Sequence, residues 1–211
     1  SEPGIVLKTT SLREADLIAT LLTRKHGKIS AVIKSAKNSK KRFLGGVDIF
    51  DAGVFELKAP SKNSNLYSAY NISKQQRFLA LREDLLKISC AAFCIELTNY
   101  FCPEEDAHSG ELFNPLFITL RELDKAENKN KQLAITTFYH LVLLKLTGHD
   151  PIEAGLKIRE EIKSWWSQML EQKSATENES YYKESFDQLI RFSTEIISKD
   201  LKTSKEILQR L

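Results

Sequence analysis

"DLIATLLTRKHGKISAVIKSA", residues 16–36, decides the fold. Its two halves are β-branched and apolar, and Gly27 in "HGK" supplies a positive-φ turn between them. In the second half Ile29, Ala31 and Ile33 fall on one face, with Lys28, Ser30 and Val32 on the other, which is the alternation of a half-buried strand. Outward from this pair, "GIVLKTTSL" (4–12) reads as a preceding strand. "VDIFDAGVFELKA" (47–59) and "NLYSAYNIS" (65–73) read as two following strands, joined through the turn-rich "PSKNSN". Five strands in about 75 residues leave no room for crossover helices. They predict a small antiparallel barrel or sandwich, for which the five-stranded OB-fold is the commonest solution. "KNSKKRFLGG" (37–46), polar and ending in glycines, reads as a long loop.

From about residue 77 the period changes. "LREDLLKISCAAFCIELTNYF" places Leu86, Cys90, Phe93, Cys94, Leu97 and Phe101 at three- and four-residue steps, an amphipathic helix. A second helix is expected at 111–125. Residues 131–147 are apolar nearly all round and predict a helix in the middle of a bundle, stopped by Gly148 with Pro151 shortly after. "GLKIREEIKSWWSQML" continues the helical spacing, "EQKSATENESYY" is linker-like, and "FDQLIRFSTEIISKDLKTSKEIL" resumes it. The expected architecture is α+β: a β-barrel domain over 1–76 followed by an α-helical bundle over 77–211.

Charge is segregated in the same way. Residues 1–75 carry 13 Lys plus Arg against 6 Asp plus Glu, while 76–211 carry 18 against 22, so a net +3 conceals a basic front and an acidic rear. The 42% of apolar residues suffices for a folded core. Three cysteines without regular spacing are not a disulfide framework and fit a reducing cytosol. No 18-residue apolar window and no signal-like start are found, so neither a membrane span nor secretion is expected.

Catalytic constellations are absent from the sequence: no phosphate-binding glycine loop, no GxSxG, no HExxH and no paired-cysteine zinc spacing. Cys90 and Cys94 share a helical face but sit among Ala, Phe and Ile, a packing context. The four histidines are scattered. No catalytic residue, metal site or cofactor is expected. The basic stretch differs because nothing balances it locally: between Asp16 and Asp48 lie Arg24, Lys25, Lys28, Lys34, Lys37, Lys40, Lys41 and Arg42 and no carboxylate. Such a face neutralises phosphates and binds nucleic acid in a salt-dependent way. Phe43, Phe50, Phe55, Tyr67 and Tyr70 lie in the same domain, some to fill the core and some, Phe43 foremost, as stacking platforms for single strands. A rival reading from another class is a protein-interaction adaptor whose barrel docks on an acidic partner.

The stretch from "GIVLKTTSLREADLIATLLTRKHGK" through "KKRFLGG" to "DAGVFEL" resembles the N-terminal half of the bacterial recombination mediator family RecO. "FYHLVLLKLTGHDP" and "RFSTEIISKDLKTSKEIL" resemble that family's "F…LL…LG…P" helix end and its C-terminal helix. The resemblance implies an OB-fold joined to a helical bundle, without covalent chemistry. It implies binding of single- and double-stranded DNA, annealing of complementary strands, a partnership with RecR, and help to RecA in replacing the single-stranded DNA-binding protein (SSB), in the bacterial cytoplasm at the nucleoid. Many family members carry a four-cysteine zinc motif after the "LG…P" turn. Here "TGHDPIEAGLKIREE" has no cysteine, and no zinc is expected. The family's helical domain receives the acidic, Phe-ended tail of SSB. By resemblance that site falls near 133–149, where Thr137 replaces an expected basic residue, leaving Lys145 as cation, Leu141 and Leu144 as apolar contacts, and His149 beside them.

Overall fold

The computed structural model of the chain describes residues 1–36, 43, 46–61, 64–104 and 106–210. Two compact units emerge: Ser1–Phe78 with Cys102–Phe117, and Leu79–Phe101 with Ile118–Leu211.

In the first unit β1 (Glu2–Ser11), β2 (Leu17–Thr23), β3 (Gly27–Ile33), β4 (Ala52–Lys58) and β5 (Tyr67–Gln76) close into a barrel in the order β1-β2-β3-β5-β4. This is an OB-fold barrel. The β2–β3 hairpin runs in unbroken register from Leu17↔Ile33 to Thr23↔Gly27. That register puts Leu17, Ala19 and Leu21 beside Ile29, Ala31 and Ile33, all buried in one core. The alternation seen in the sequence is thus the inward face of both strands. One pairing departs from the all-antiparallel expectation: β3 and β5 run parallel, Ala31↔Tyr67 to Ile33↔Ala69. Around a closed ring of five strands, an odd number, antiparallel alternation must fail once, and it does so where β3 meets β5. Alanines 19, 31 and 69 leave room in the narrow interior for the rings of Phe43 and Phe55.

"VDIFDAGVFELKA" is a strand only from Ala52 onward. Before it the chain turns: Phe50 sits at φ 73 and its N–H donates to Val6 O (3.0 Å), while Asp51 accepts from Asp48 N–H (3.0 Å) and Gln75 Nε2 (2.9 Å). A further departure is that Cys102–Phe117 belongs with the barrel. A 3₁₀ turn at Ala107–Leu112 lies against the β2–β3 turn so closely that a Cβ on Gly27 (φ +63) would stand 1.9 Å from Asp106 O. A Cβ on Gly110 would stand 2.3 Å from Arg24 O. Two glycines permit this backbone-to-backbone approach.

The second unit holds α1 (Leu85–Phe101), most of α2 (Phe113–Lys125), α3 (Lys129–Leu146), α4 (Glu160–Gln172), α5 (Tyr182–Ile197) and α6 (Ser204–Leu208). α3 is central, with Leu133, Tyr139, Leu141 and Leu144 all buried. Asn128 caps its start by accepting from Lys131 N–H (2.8 Å). Gly148 ends it at φ +76, with Gly148 N–H to Lys145 O and His149 N–H to Leu144 O, the paired bonds of a Schellman motif. Asp84 opens α1 by accepting from Leu86 and Lys87 N–H. Glu96, on α1, accepts from Lys202 and Thr203 N–H and so caps the approach to α6. Among the described residues no helix is long and apolar enough to cross a membrane.

Candidate nucleic-acid interface

The basic stretch is anchored by its β2–β3 turn. Thr23 Oγ1 donates to Gly27 O (3.0 Å) and accepts from His26 N–H (3.1 Å), and Glu2 Oε1 accepts from Lys25 N–H (2.6 Å). With the turn's backbone thus held, the side chains of Arg24 and Lys25 stay exposed. The Arg24 guanidinium lies 5.1 Å from the Phe113 ring centroid and donates to Asn114 Oδ1 (3.0 Å), which fixes the charge while leaving it at the surface. Lys34 is exposed in the turn after β3, where Ser35 N–H donates to Asp16 Oδ1 (2.8 Å). Asp48 Oδ1 likewise accepts from Ile49 N–H (2.8 Å). The two carboxylates that bracket the basic run are therefore engaged in holding turns.

Two of the expected nucleic-acid contacts need correcting. Lys28 is only 9% exposed, paired through its backbone with Glu104, and burial holds its ammonium below the ordinary lysine value against the opposing pull of Cys102 and Glu104. It is covered by the Cys102–Phe117 segment, a long-range contact that strand alternation does not reveal. Phe43 is wholly buried in the barrel core, because a small closed barrel needs a large plug and a Phe at the end of a loop supplies it. Phe50 and Phe55 are also buried; Tyr67 is half-buried with its ring 5.8 Å from that of His26, and Tyr70 is exposed. Lys37, Lys40, Lys41 and Arg42 lie outside the described residues.

A groove that the sequence reading missed lies on the same unit. About 190 Å³ in volume, it is lined by Arg24, Lys74, Gln76, Gly53, Phe113 and Phe117 among others, with no acidic side chain among the described residues that line it. Phe113 and Phe117 stack nearly parallel, 7° apart at 6.2 Å between centroids, and Phe78 meets Phe117 edge-on at 6.0 Å. In the sequence Phe113 and Phe117 fall within the helix expected at 111–125, with nothing to set them apart.

In the helical unit the tail-site residues separate. Leu141 and Leu144 are wholly buried and offer no surface to a peptide, since α3 is the central helix and they face its neighbours. Thr137 is likewise buried, so a basic side chain there would have no access to solvent. Lys145 is exposed and lies 3.6 Å from the Asp150 carboxylate. His149 is half-buried, with its ring edge against Phe101 at 5.6 Å. Cys90 and Cys94 are fully buried, and burial pushes the Cys90 thiol up to about 12 and that of Cys94 well above its ordinary value, as expected of packing residues.

Residues 1–75 match the family model described as recombination protein O N terminal, and residues 82–195 match recombination protein O C terminal. The chain is similar to the DNA repair protein RecO of Desulfosudis oleivorans, 30% identical over 75% of this chain and 60% of that protein. It is 36% identical to the protein of that name from Anaeromyxobacter dehalogenans over 58% of this chain and 48% of the relative. With that from Alkaliphilus metalliredigens it shares 32% identity over 70% and 58% respectively. The chain thus spans about half to three fifths of the length of these relatives. A barrel and a helical unit, each matched in order by its own model, carry the conclusion: the chain belongs to the recombination protein O (RecO) family.

Proposed function

We propose that this protein is a non-enzymatic mediator of DNA repair and recombination. Its barrel binds single- and double-stranded DNA by neutralising phosphates, and it brings complementary strands together. With RecR it helps RecA replace SSB, whose acidic tail docks on the helical unit. The observation that carries this reading is an OB-fold barrel whose acid-free run from Leu17 to Val47 leaves Arg24, Lys25 and Lys34 exposed, in a chain of the recombination protein O family. Annealing follows from the same charge. Two strands coated on their phosphates repel each other less, so that a first few base pairs can form. For the tail, Lys145 and His149 at the end of α3 remain the accessible candidates.

The test is binding of a labelled single-stranded oligonucleotide at two salt concentrations, with and without SSB. Tight binding that falls steeply with salt, and survives on SSB-coated DNA, supports the reading. Absence of salt-dependent DNA binding, together with retained binding to an acidic protein surface, replaces it with the adaptor.

A further inference from the structure

We infer that the groove lined by Arg24, Lys74, Gln76, Phe113 and Phe117 is a single-nucleotide subsite of the barrel, taking an unpaired base against Phe117 and its phosphate between Arg24 and Lys74. This rests on the DNA-binding reading and adds to it a place, off the basic β2–β3 hairpin, where one base leaves the backbone path.

Two independent features build the site. The first is a row of flat groups: the Arg24 guanidinium over Phe113, and the near-parallel, offset rings of Phe113 and Phe117, the latter half-buried and lining the groove. A base laid against the accessible part of Phe117 meets an aromatic face, and stacking suits any base because each has a π-face. The second is Lys74. The β4–β5 register slips between Ala52↔Gln76 and Val54↔Ser73, leaving two β5 residues opposite Gly53 alone, a bulge. Lys74 holds the left-handed conformation there, φ 50, where glycine is the unstrained choice. Bulges re-aim side chains, and this one places an exposed lysine on the groove's rim. Gly53 opposite it contributes backbone only, since a Cβ would meet Ile72 Cγ1 at 2.8 Å. Two cations, no carboxylate among the described lining residues and an aromatic wall match one nucleotide of a single strand, whereas the bases of a duplex stay within their own stack.

The experiment titrates the full chain and two variants with oligo(dT) over a range of salt. Phe117→Leu keeps apolar bulk but removes the ring face, and Lys74→Ala alters an exposed side chain; circular dichroism checks that both are folded. Phe117→Leu is expected to weaken oligo(dT) binding at least about fivefold, with the salt slope unmoved and duplex affinity retained. Lys74→Ala should lower the single-strand salt slope by about 0.7, the share of one phosphate. If wild type binds oligo(dT) and both variants match it in affinity and slope, the subsite is wrong while the DNA reading stands. If wild type binds no DNA, the DNA reading fails and takes the subsite with it. If the variants lose only binding to an acidic peptide ending in Phe, the groove is a peptide slot and the inference is overturned.

Discussion

Among the described residues the hydrophobic core of the barrel is built of Val, Leu, Ile, Ala and Phe with Tyr67 packed against it; of the polar groups buried in that unit Glu2, Thr23 and Asp51 hold turns at its margin, and Lys28 is covered by Cys102–Phe117. The helical unit instead carries polar pairs through its middle: Thr98 with Tyr139 at 2.5 Å, His140 Nε2 with Ser193 Oγ at 2.7 Å, and Trp166 Nε1 with Ser185 Oγ at 3.2 Å. A strand's two-sided pattern sends polar side chains outward, where they can serve as a charged surface. A helix buried all round has no outward side, so most of its polar groups find partners within. The comparison teaches where each unit is vulnerable. Changes to exposed side chains of the barrel should alter binding and spare folding, while changes inside the helical unit should cost stability.

The largest effect is expected at Trp166, wholly buried on α4. Trp166→Ala opens a cavity and strands the Ser185 hydroxyl, which should cost about 3 to 5 kcal/mol in denaturant unfolding. A cost below about 1 kcal/mol would mean the helical unit collapses easily around lost bulk, and the contrast with the barrel would weaken.

Next comes acidity. His140 is buried against Ser193 with the ring edge of Phe93 at 5.4 Å, and burial pulls its pKa down to about 3. Its folded value lies below its unfolded one, so the unfolded chain binds the proton first. Stability is therefore whole above about pH 6.5 and is lost as pH falls toward 3. Between pH 7.5 and 5 this amounts to about 2 kcal/mol. Asp84, whose carboxyl burial would raise but which N–H donors from Lys87 and Leu86 and the Gln132 amide hold below its ordinary value, adds its own loss only at lower pH. Urea titrations of wild type and His140→Gln at the two pH values should show the difference disappear in the variant.

Lys145→Glu tests the helical unit's surface. With Asp150 already 3.6 Å away, a second carboxylate makes the end of α3 repel an acidic tail. An SSB tail peptide should bind the variant more than about tenfold more weakly, about 1.4 kcal/mol, with oligonucleotide binding unmoved. Equal peptide affinity removes Lys145 from the site. Smaller still, Thr137→Val replaces a buried hydroxyl with no hydrogen-bond partner among the described residues and should raise stability by about 1 kcal/mol; a loss would show that the hydroxyl is satisfied after all.

Much of this was legible in the chain. Ile29, Ala31 and Ile33 announce their face by alternation, and Gly148 announces the end of α3, because both signals are local. Phe43 misleads because a ring after a run of lysines looks the same whether it stacks on a base or plugs a barrel. Leu141 and Leu144 look like tail contacts only by resemblance, on a helix whose apolar run already reads as buried, and burial prevails. Least legible are Lys28 and the groove. Both depend on Cys102–Phe117 joining the barrel from far along the chain, through an approach that only Gly27 and Gly110 allow, and on a bulge at Lys74 that no period marks.

The smallest effect on folding, and the sharpest on function, is expected from changing Lys40, Lys41 and Arg42 together to Ala. Their positions follow from the sequence alone, in the acid-free run between Asp16 and Asp48. Charges in a stretch that the sequence reads as a polar loop are expected to contribute little to stability, so unfolding should shift by no more than about 0.5 kcal/mol. Each phosphate contact they make adds roughly 0.7 to 0.9 to the slope of log affinity against log salt, so losing three should flatten it by about 2 to 3. Measuring unfolding and salt dependence on the same preparation separates the two units' logic cleanly. A flattened slope with unchanged unfolding means the barrel's charge serves ligand and not fold. An unchanged slope in a folded variant moves the DNA path to Arg24, Lys25 and Lys34. A large loss of stability would break the comparison itself, because it would mean these cations hold the barrel together by pairing within it.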